Sequence, residues 1–322
     1  MISRSQPGPG VYVIALILAI GMSAVAFFTG SHAQLTGDMG ICLPSPNMWD
    51  LLPLASWIIN LALAVAISLA LYLFNKNLSF SPGSSFLLMG AFILMTASNP
   101  WISERLTSSM LMASANLWCL WIMFANFNER NATQGVFLTA TILSLGSMFQ
   151  YAFVFMIPVY MIIGIFLKCF RIKELLAMLM GLAAPYWVGI GMGLIPLEAF
   201  HMPTFTNLFE GFATKTGLLA GLLNLGLTAL LALLLGLNNT VKLFAGNSRR
   251  RLMNSSLNLM GVSCAAMMVI DFNNLTAYMA TFYMMAAVQV ANVFGLWNVK
   301  RWEIWLWIGA ATYVGFFIGA VV

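Results

Sequence analysis

Charge is what this sequence has least of. Asp, Glu, Lys and Arg together make up 7% of its 322 residues, where a soluble domain carries roughly 25%. That scarcity excludes a water-soluble globular domain, and the formal net charge of +5 therefore carries no message about nucleic acid. Histidine occurs twice and cysteine four times. No Cys/His cluster has the spacing of a metal site, and no Walker or Gly-x-Gly-x-x-Gly pattern opens a helix after a strand. Neither a metal nor another cofactor is expected. Cys42 stands alone on its side of the chain's topology, so no intrachain disulfide forms there. Low-complexity tracts are missing too, and no linker is longer than the loop around 30–50. Residues 1–322 read as a single integral domain.

Apolar residues fill the space that charge leaves. They account for 61% of the chain, and the mean hydropathy is +0.92. Runs of about 20 apolar residues recur, each long enough to cross a hydrocarbon core of about 30 Å. The expected fold is all-α: a polytopic helical membrane protein with spans near 11–29, 51–74, 85–98, 108–126, 135–149, 151–168, 174–195, 216–236, 252–270, 275–297 and 304–322. Those eleven crossings put the amino terminus inside and the carboxyl terminus outside.

The basic residues fix that orientation. Arg4, Lys76, Arg130, Lys168, Arg171, Lys173, Lys242, Arg249, Arg250, Arg251, Lys300 and Arg301 fall on the cytoplasmic side, and only Arg105 and Lys215 fall outside. Such a bias follows the positive-inside rule. A bacterial inner (plasma) membrane is the expected location. Two segments leave the count open. Ser85–Ser98 is short for a span, and Val136–Cys169 is one run of 34 residues, about 51 Å as a single helix. Splitting that run near Gly146–Gln150 gives eleven spans; fusing each short pair into one bent crossing gives nine and moves only Glu129 and Arg130. Residues 4–33 also resemble a signal peptide, with Arg4 ahead of an apolar stretch and Ser31-His32-Ala33 behind it. The apolar region is longer than the usual 7–15 residues, which favours an uncleaved first helix.

Candidate chemistry lies on the outer side. The first outer loop, SHAQLTGDMGICLPSPNMWDLLP, holds His32, Asp38 and Asp50 with no basic residue. As catalytic carboxylates next to the membrane, Asp38 or Asp50 would take a proton from an acceptor hydroxyl; as plain loop residues they are solvated, with Asp50 capping the helix ahead of Pro53. Glu104-Arg105 follows Pro100-Trp101 and reads either as an interfacial anchor or as part of a binding surface. Glu198 and His201, with Glu210 and Lys215, occupy the widest late loop. Arg105 and Lys215 are the two outer cations, suited to a lipid phosphate or diphosphate.

Asp271 poses a separate question. It sits in MMVIDFNNLTAY between two long apolar runs. Asp271-Phe272-Asn273-Asn274 has the composition of a tight turn, near the outer interface, with Asp271 accepting backbone N–H bonds at the start of the next helix. The other reading places it on the rim of a substrate cleft. Asn116, Asn224, Asn258, Gln289 and Asn292 lie within helices, where polar side chains bond neighbouring helices. Gln289 and Asn292, three apart, share a face and are candidates to line an internal cleft. The 23 methionines read as adaptable packing among helices.

Residues 130–194, RNATQGVFLTATILSLGSMFQYAFVFMIPVYMIIGIFLKCFRIKELLAMLMGLAAPYWVGIGMGL, resemble the central part of an uncharacterised family of multi-spanning inner-membrane proteins of Bacteroidetes. There a short helix, an aromatic turn, a long helix, a basic patch and a Gly-to-Pro helix follow in this order. That family implies no biochemical function. A more distant resemblance is to the GT-C-type glycosyltransferases, which use polyprenyl-phosphate sugars. It rests on the inside amino terminus, the acidic first outer loop with Asp38 and Asp50, the short helices 85–98 and 135–149, and the aromatic segment Leu275–Phe294. It implies a polyprenyl-phosphate-linked substrate among membrane lipids. The chain departs from that pattern, with no paired Asp-Asp or Asp-Glu in the first loop and no soluble outer domain.

Three functions follow as expectations. The chain is a GT-C-like enzyme or degenerate relative that handles a lipid-linked substrate at its outer face, or a non-catalytic subunit serving a membrane-protein partner, or a transporter. No internal repeat and almost no ionisable residue at mid-membrane depth place the transporter last. An outward cleft lined by Asp38 or Asp50 with Arg105 or Lys215 would favour the enzyme, and a filled bundle the subunit.

Overall fold

A computed structural model describes residues 7–30, 40–196, 198, 200, 219–244, 247–296 and 302–321. Among these residues all regular structure is helical. The α-helices are α1 (Pro9–Thr29), α2 (Pro53–Leu78), α3 (Ser85–Ala97), α4 (Pro100–Ser103), α5 (Ser108–Ala125), α6 (Thr133–Phe149), α7 (Met156–Phe166), α8 (Ile172–Gly191), α9 (Leu219–Phe244), α10 (Ser248–Ile270), α11 (Leu275–Leu296) and α12 (Trp302–Val321). Eight of them are long and apolar enough to cross a membrane, namely α1, α2, α5 and α8 to α12. Ser85–Ala97, Thr133–Phe149 and Tyr151–Phe166 are apolar but shorter. The chain is thus a helical membrane protein of multi-pass type.

Local sequence explains where several helices begin. Pro9, Pro53 and Pro100 each open a helix, where a missing N–H costs nothing and the fixed φ is already helical. Asn247 accepts from the Arg249 backbone N–H at 3.0 Å and so starts α10 before its three arginines rather than after them. At the other extreme, α9 runs to Phe244, eight residues past the expected end at 236. The polar run Asn238-Asn239-Thr240 looks like a stop in sequence. In the structure Asn239 is fully buried and donates to the Gln289 carbonyl at 2.9 Å and to Gln289 Oε1 at 3.0 Å. A tertiary partner overrides the local signal.

Long-range bonds define two ends of the bundle. At one, Ile41 N and Leu43 N donate to the carbonyls of Ser147 and Met148 at 3.1 and 2.9 Å, and Ser108 N donates to Asn47 Oδ1 at 2.9 Å. Gly40 lets the loop approach this closely, since a Cβ there would lie 2.0 Å from the Met148 carbonyl oxygen. At the other end, Ser84 Oγ donates to Pro7 O at 2.8 Å, Arg250 Nε to Ser79 O at 3.0 Å, and Asn128 N to Leu167 O at 3.0 Å. The end of α7 therefore lies beside the start of α6, and the two form a hairpin rather than one bent rod. Gly146 permits the fold-back, because a Cβ there would lie 2.5 Å from the Phe153 ring.

The core is organised around α11. Every residue from Asn274 to Gln289 is buried, and α3, α5, α9 and α10 pack against it. By contrast, only Tyr313 and Phe317 are buried among the described side chains of α12.

Candidate functional site

Asp271 caps the carboxyl end of α10, its own N–H donating to Met267 O at 2.7 Å. One turn of 3-10 helix, Phe272–Asn274, then joins α10 to α11. The tight turn is present as the sequence suggests. Its carboxylate is not where a cap would be. It makes no side-chain bond to the backbone of the next turn and is 0% exposed.

Instead the carboxylate meets side-chain donors. Tyr151 Oη donates to it at 2.8 Å from Oδ1 and 2.9 Å from Oδ2. Asn274 Nδ2 donates to Oδ1 at 3.1 Å, and Tyr278 Oη to Oδ2 at 3.3 Å. Asn274 Nδ2 also donates to the Tyr151 hydroxyl. From there the network continues outward. Gln150 Nε2 donates to Asn274 Oδ1 at 2.8 Å, and Ser45 Oγ donates to Gln150 Oε1 at 3.0 Å. One carboxylate thereby fastens three segments at the first-loop end: the 40–52 loop, the α6–α7 turn and the α10–α11 turn.

Magnitudes explain why the arrangement persists. Burying a lone carboxylate costs several kcal/mol after relaxation. A hydrogen bond to a charged group returns about 1.5–3 kcal/mol, so three donors offset the cost. The named partners are all neutral, and an ionised carboxylate accepts only, which matches a ring of donors. Tyr278 lies seven residues beyond Asp271 and Asn274 three beyond, both on the same helical face, so sequence spacing held part of this signal. Tyr151 and Gln150, over 100 positions earlier, left none.

Further polar groups run along α11. Thr281 Oγ1 accepts from Asn116 Nδ2 at 3.2 Å, and Tyr160 Oη donates to Asn116 O at 2.9 Å. Tyr283 Oη accepts from Asn99 Nδ2 and donates to Asn224 Oδ1, both at 3.3 Å. Gln289 and Asn292 do share a face, and both donate to Asn254 Oδ1, at 3.1 and 3.0 Å. Gln289 also lines a cleft of about 90 Å³ with Asn258.

The other expected site residues are dispersed. Asp50 is exposed, and it does not cap α2: the cap position is Leu52, with no side-chain bond. Glu104 and Arg105 are half-buried in the turn after α4, and Glu198 is exposed. Asp38, His201 and Lys215, like Glu210, lie outside the described residues. Of four clefts among the described residues, none is lined by Asp50, Glu104, Arg105, Glu198 or Asp271. One of these four, about 570 Å³, is mostly apolar, with Glu303 in its lining, and lies among α1, α3, α9, α11 and α12. Another, about 280 Å³, lies at the first-loop end between Ile41, Ser147, Tyr186 and Phe200. No three His, Cys, Asp or Glu side chains gather as metal ligands among the described residues. Cys42 is buried, and burial pushes its thiol pKa up. No protein-family model, curated protein or solved structure matches the chain.

Proposed function

We propose that this chain is a non-catalytic membrane scaffold or subunit of the bacterial inner (plasma) membrane, whose rigid outer end engages a membrane-protein partner. In this reading it crosses the membrane eleven times, with its amino terminus in the cytoplasm and its carboxyl terminus outside. The observation that carries the scaffold reading is the filled centre of the bundle. Tyr151, Asp271, Asn274 and Tyr278 bond one another at one end of α11, and Gln289, Asn292 and Asn254 do so near the other. Polar groups so paired rigidify a core and leave little for a substrate. Two features support eleven crossings: the α6–α7 hairpin with Leu167 against Asn128, and the bias of basic residues to one side.

A second reading has one observation in its favour. The mostly apolar cleft of about 570 Å³ is large enough for a prenyl or acyl segment, as handling of a polyprenyl-phosphate-linked substrate would need. The GT-C-type resemblance points the same way. Against it, the cleft runs along the first half of α1, most of α3 and the first half of α12, and neither Asp50 nor Glu104 is among its lining residues. A transporter comes third.

Native mass spectrometry of the protein, taken from its own membranes in lipid nanodiscs, tests the choice. A stoichiometric protein subunit is expected. A chain that emerges alone and turns over a polyprenyl-phosphate sugar, with turnover lost in Asp50→Asn, would overturn the scaffold.

A further inference from the structure

Around α4 the polar accounting does not close within the protein. Asn60, on α2, donates through Nδ2 to Ile102 O at 2.8 Å and Ser103 O at 3.5 Å, but its Oδ1 is buried without a partner. The Ser103 hydroxyl, on α4, is likewise buried and unpartnered. Both residues are almost wholly enclosed, at 2% and 4% exposure. An unmade bond at such a depth costs about 1–3 kcal/mol per group, and two within one small region call for a common explanation.

The two side chains line the same cavity. Its volume is about 20 Å³, and Ser23, Thr96 and Met110 line it with them. A site needs roughly 10–15 Å³ by this measure, with two to four polar partners, to hold one water. Ser23 Oγ already donates to Ser103 O at 3.0 Å and accepts from Trp57 Nε1 at 2.8 Å. Thr96 Oγ1 donates to Phe92 O at 2.9 Å. Each of these hydroxyl oxygens retains a lone pair.

We propose that this cavity is a binding site for a single ordered water, bridging Asn60 Oδ1 and Ser103 Oγ. The water donates one proton to Asn60 Oδ1 and accepts the proton of the Ser103 hydroxyl. Its second proton goes to the free lone pair of Thr96 or Ser23. Three bonds are the usual number for a buried water, and the volume takes one molecule, not two. The partners come from α1, α2, α3 and α4, so the water closes the junction that holds the Glu104-Arg105 turn in place. It is a positioning element for that turn, independent of whether the chain is a scaffold or an enzyme.

Radiolytic footprinting reads bound water directly, because hydroxyl radicals form where the water sits and oxidise the nearest side chain. Met110 lines the cavity and is 1% exposed. In nanodisc-embedded protein its oxidation should exceed by several-fold that of Met112 and Met260, which are 0% exposed. The excess should disappear in Asn60→Leu and fall in Ser103→Ala; the latter keeps the backbone contacts and serves if the former does not fold. Met110 oxidised no more than Met112 in the unaltered protein would overturn the proposal. So would an unchanged Met110 signal in folded Ser103→Ala.

Discussion

Tyr151 shares its hydroxyl proton between both carboxylate oxygens of Asp271, at 2.8 and 2.9 Å, across 120 positions of sequence. The contact joins the α6–α7 turn to the α10–α11 turn. Removing its donor in Tyr151→Phe leaves the carboxylate buried with two of its three described donors. We expect a loss of about 1–3 kcal/mol, read as a lowered unfolding temperature in detergent. A neutral result would mean that the network contributes nothing to stability.

Asp271→Asn is expected to destabilise by a similar amount, although the side chains match in shape. One oxygen becomes an NH₂ that faces the hydroxyl or amide donors of Tyr151, Asn274 and Tyr278, so donor meets donor. Had Asp271 been a backbone cap, asparagine would replace it with little loss. In the double variant with Tyr151→Phe the losses should be far from additive, since the two residues share one network. Additive losses would refute direct coupling.

The amides along α11 should matter less one by one. Bonds between helices in a membrane average ~0.6 kcal/mol each. Asn239→Leu, which removes the bonds to Gln289, is therefore expected to cost under about 2 kcal/mol. Helix content by circular dichroism should stay near that of the unaltered protein. A large drop would show that Asn239 holds the last two turns of α9 together.

Gly146→Ala should disturb the α6–α7 hairpin by about 1–3 kcal/mol of overpacking, because the new methyl meets the Phe153 ring at 2.5 Å. Pairing it with Phe153→Leu, which removes the ring, should restore much of the stability. No rescue would place the cost in the backbone instead.

Topology can be read by thiol labelling without first removing the native cysteines. All four are buried, and burial, with the Glu174 charge adding to it, pushes the Cys169 thiol up to about 11. At pH 7–8 that thiol is almost wholly protonated and reacts slowly. A cysteine introduced at Asn131 should label from the cytoplasmic side under eleven crossings and from outside under nine. Labelling at Arg249–Arg251 from outside would reverse the orientation.

Much of this protein was legible in its sequence. Apolar runs of membrane length gave the helices, because a chain in hydrocarbon must satisfy its backbone internally. Pro53 marked a helix start, and the split near Gly146 was visible in the length of the run. The composition of 271–274 announced a tight turn. Gln289 and Asn292 showed by their spacing that they share a face. All of these are local, set by the residue and its neighbours within a turn or two.

Tertiary structure decided the rest. Asp271 looked like an interfacial cap because sequence does not say which way a turn residue faces; Tyr151, from a distant hairpin, draws it inward. Asn239 looked like a helix end because its partner, Gln289, is fifty residues away. Asp50, Glu104 and Arg105 group as one outer site in sequence because the bias of basic residues assigns them to one side. A shared side fixes depth only, whereas a site needs convergence, and that depends on how helices far apart in sequence pack around α11.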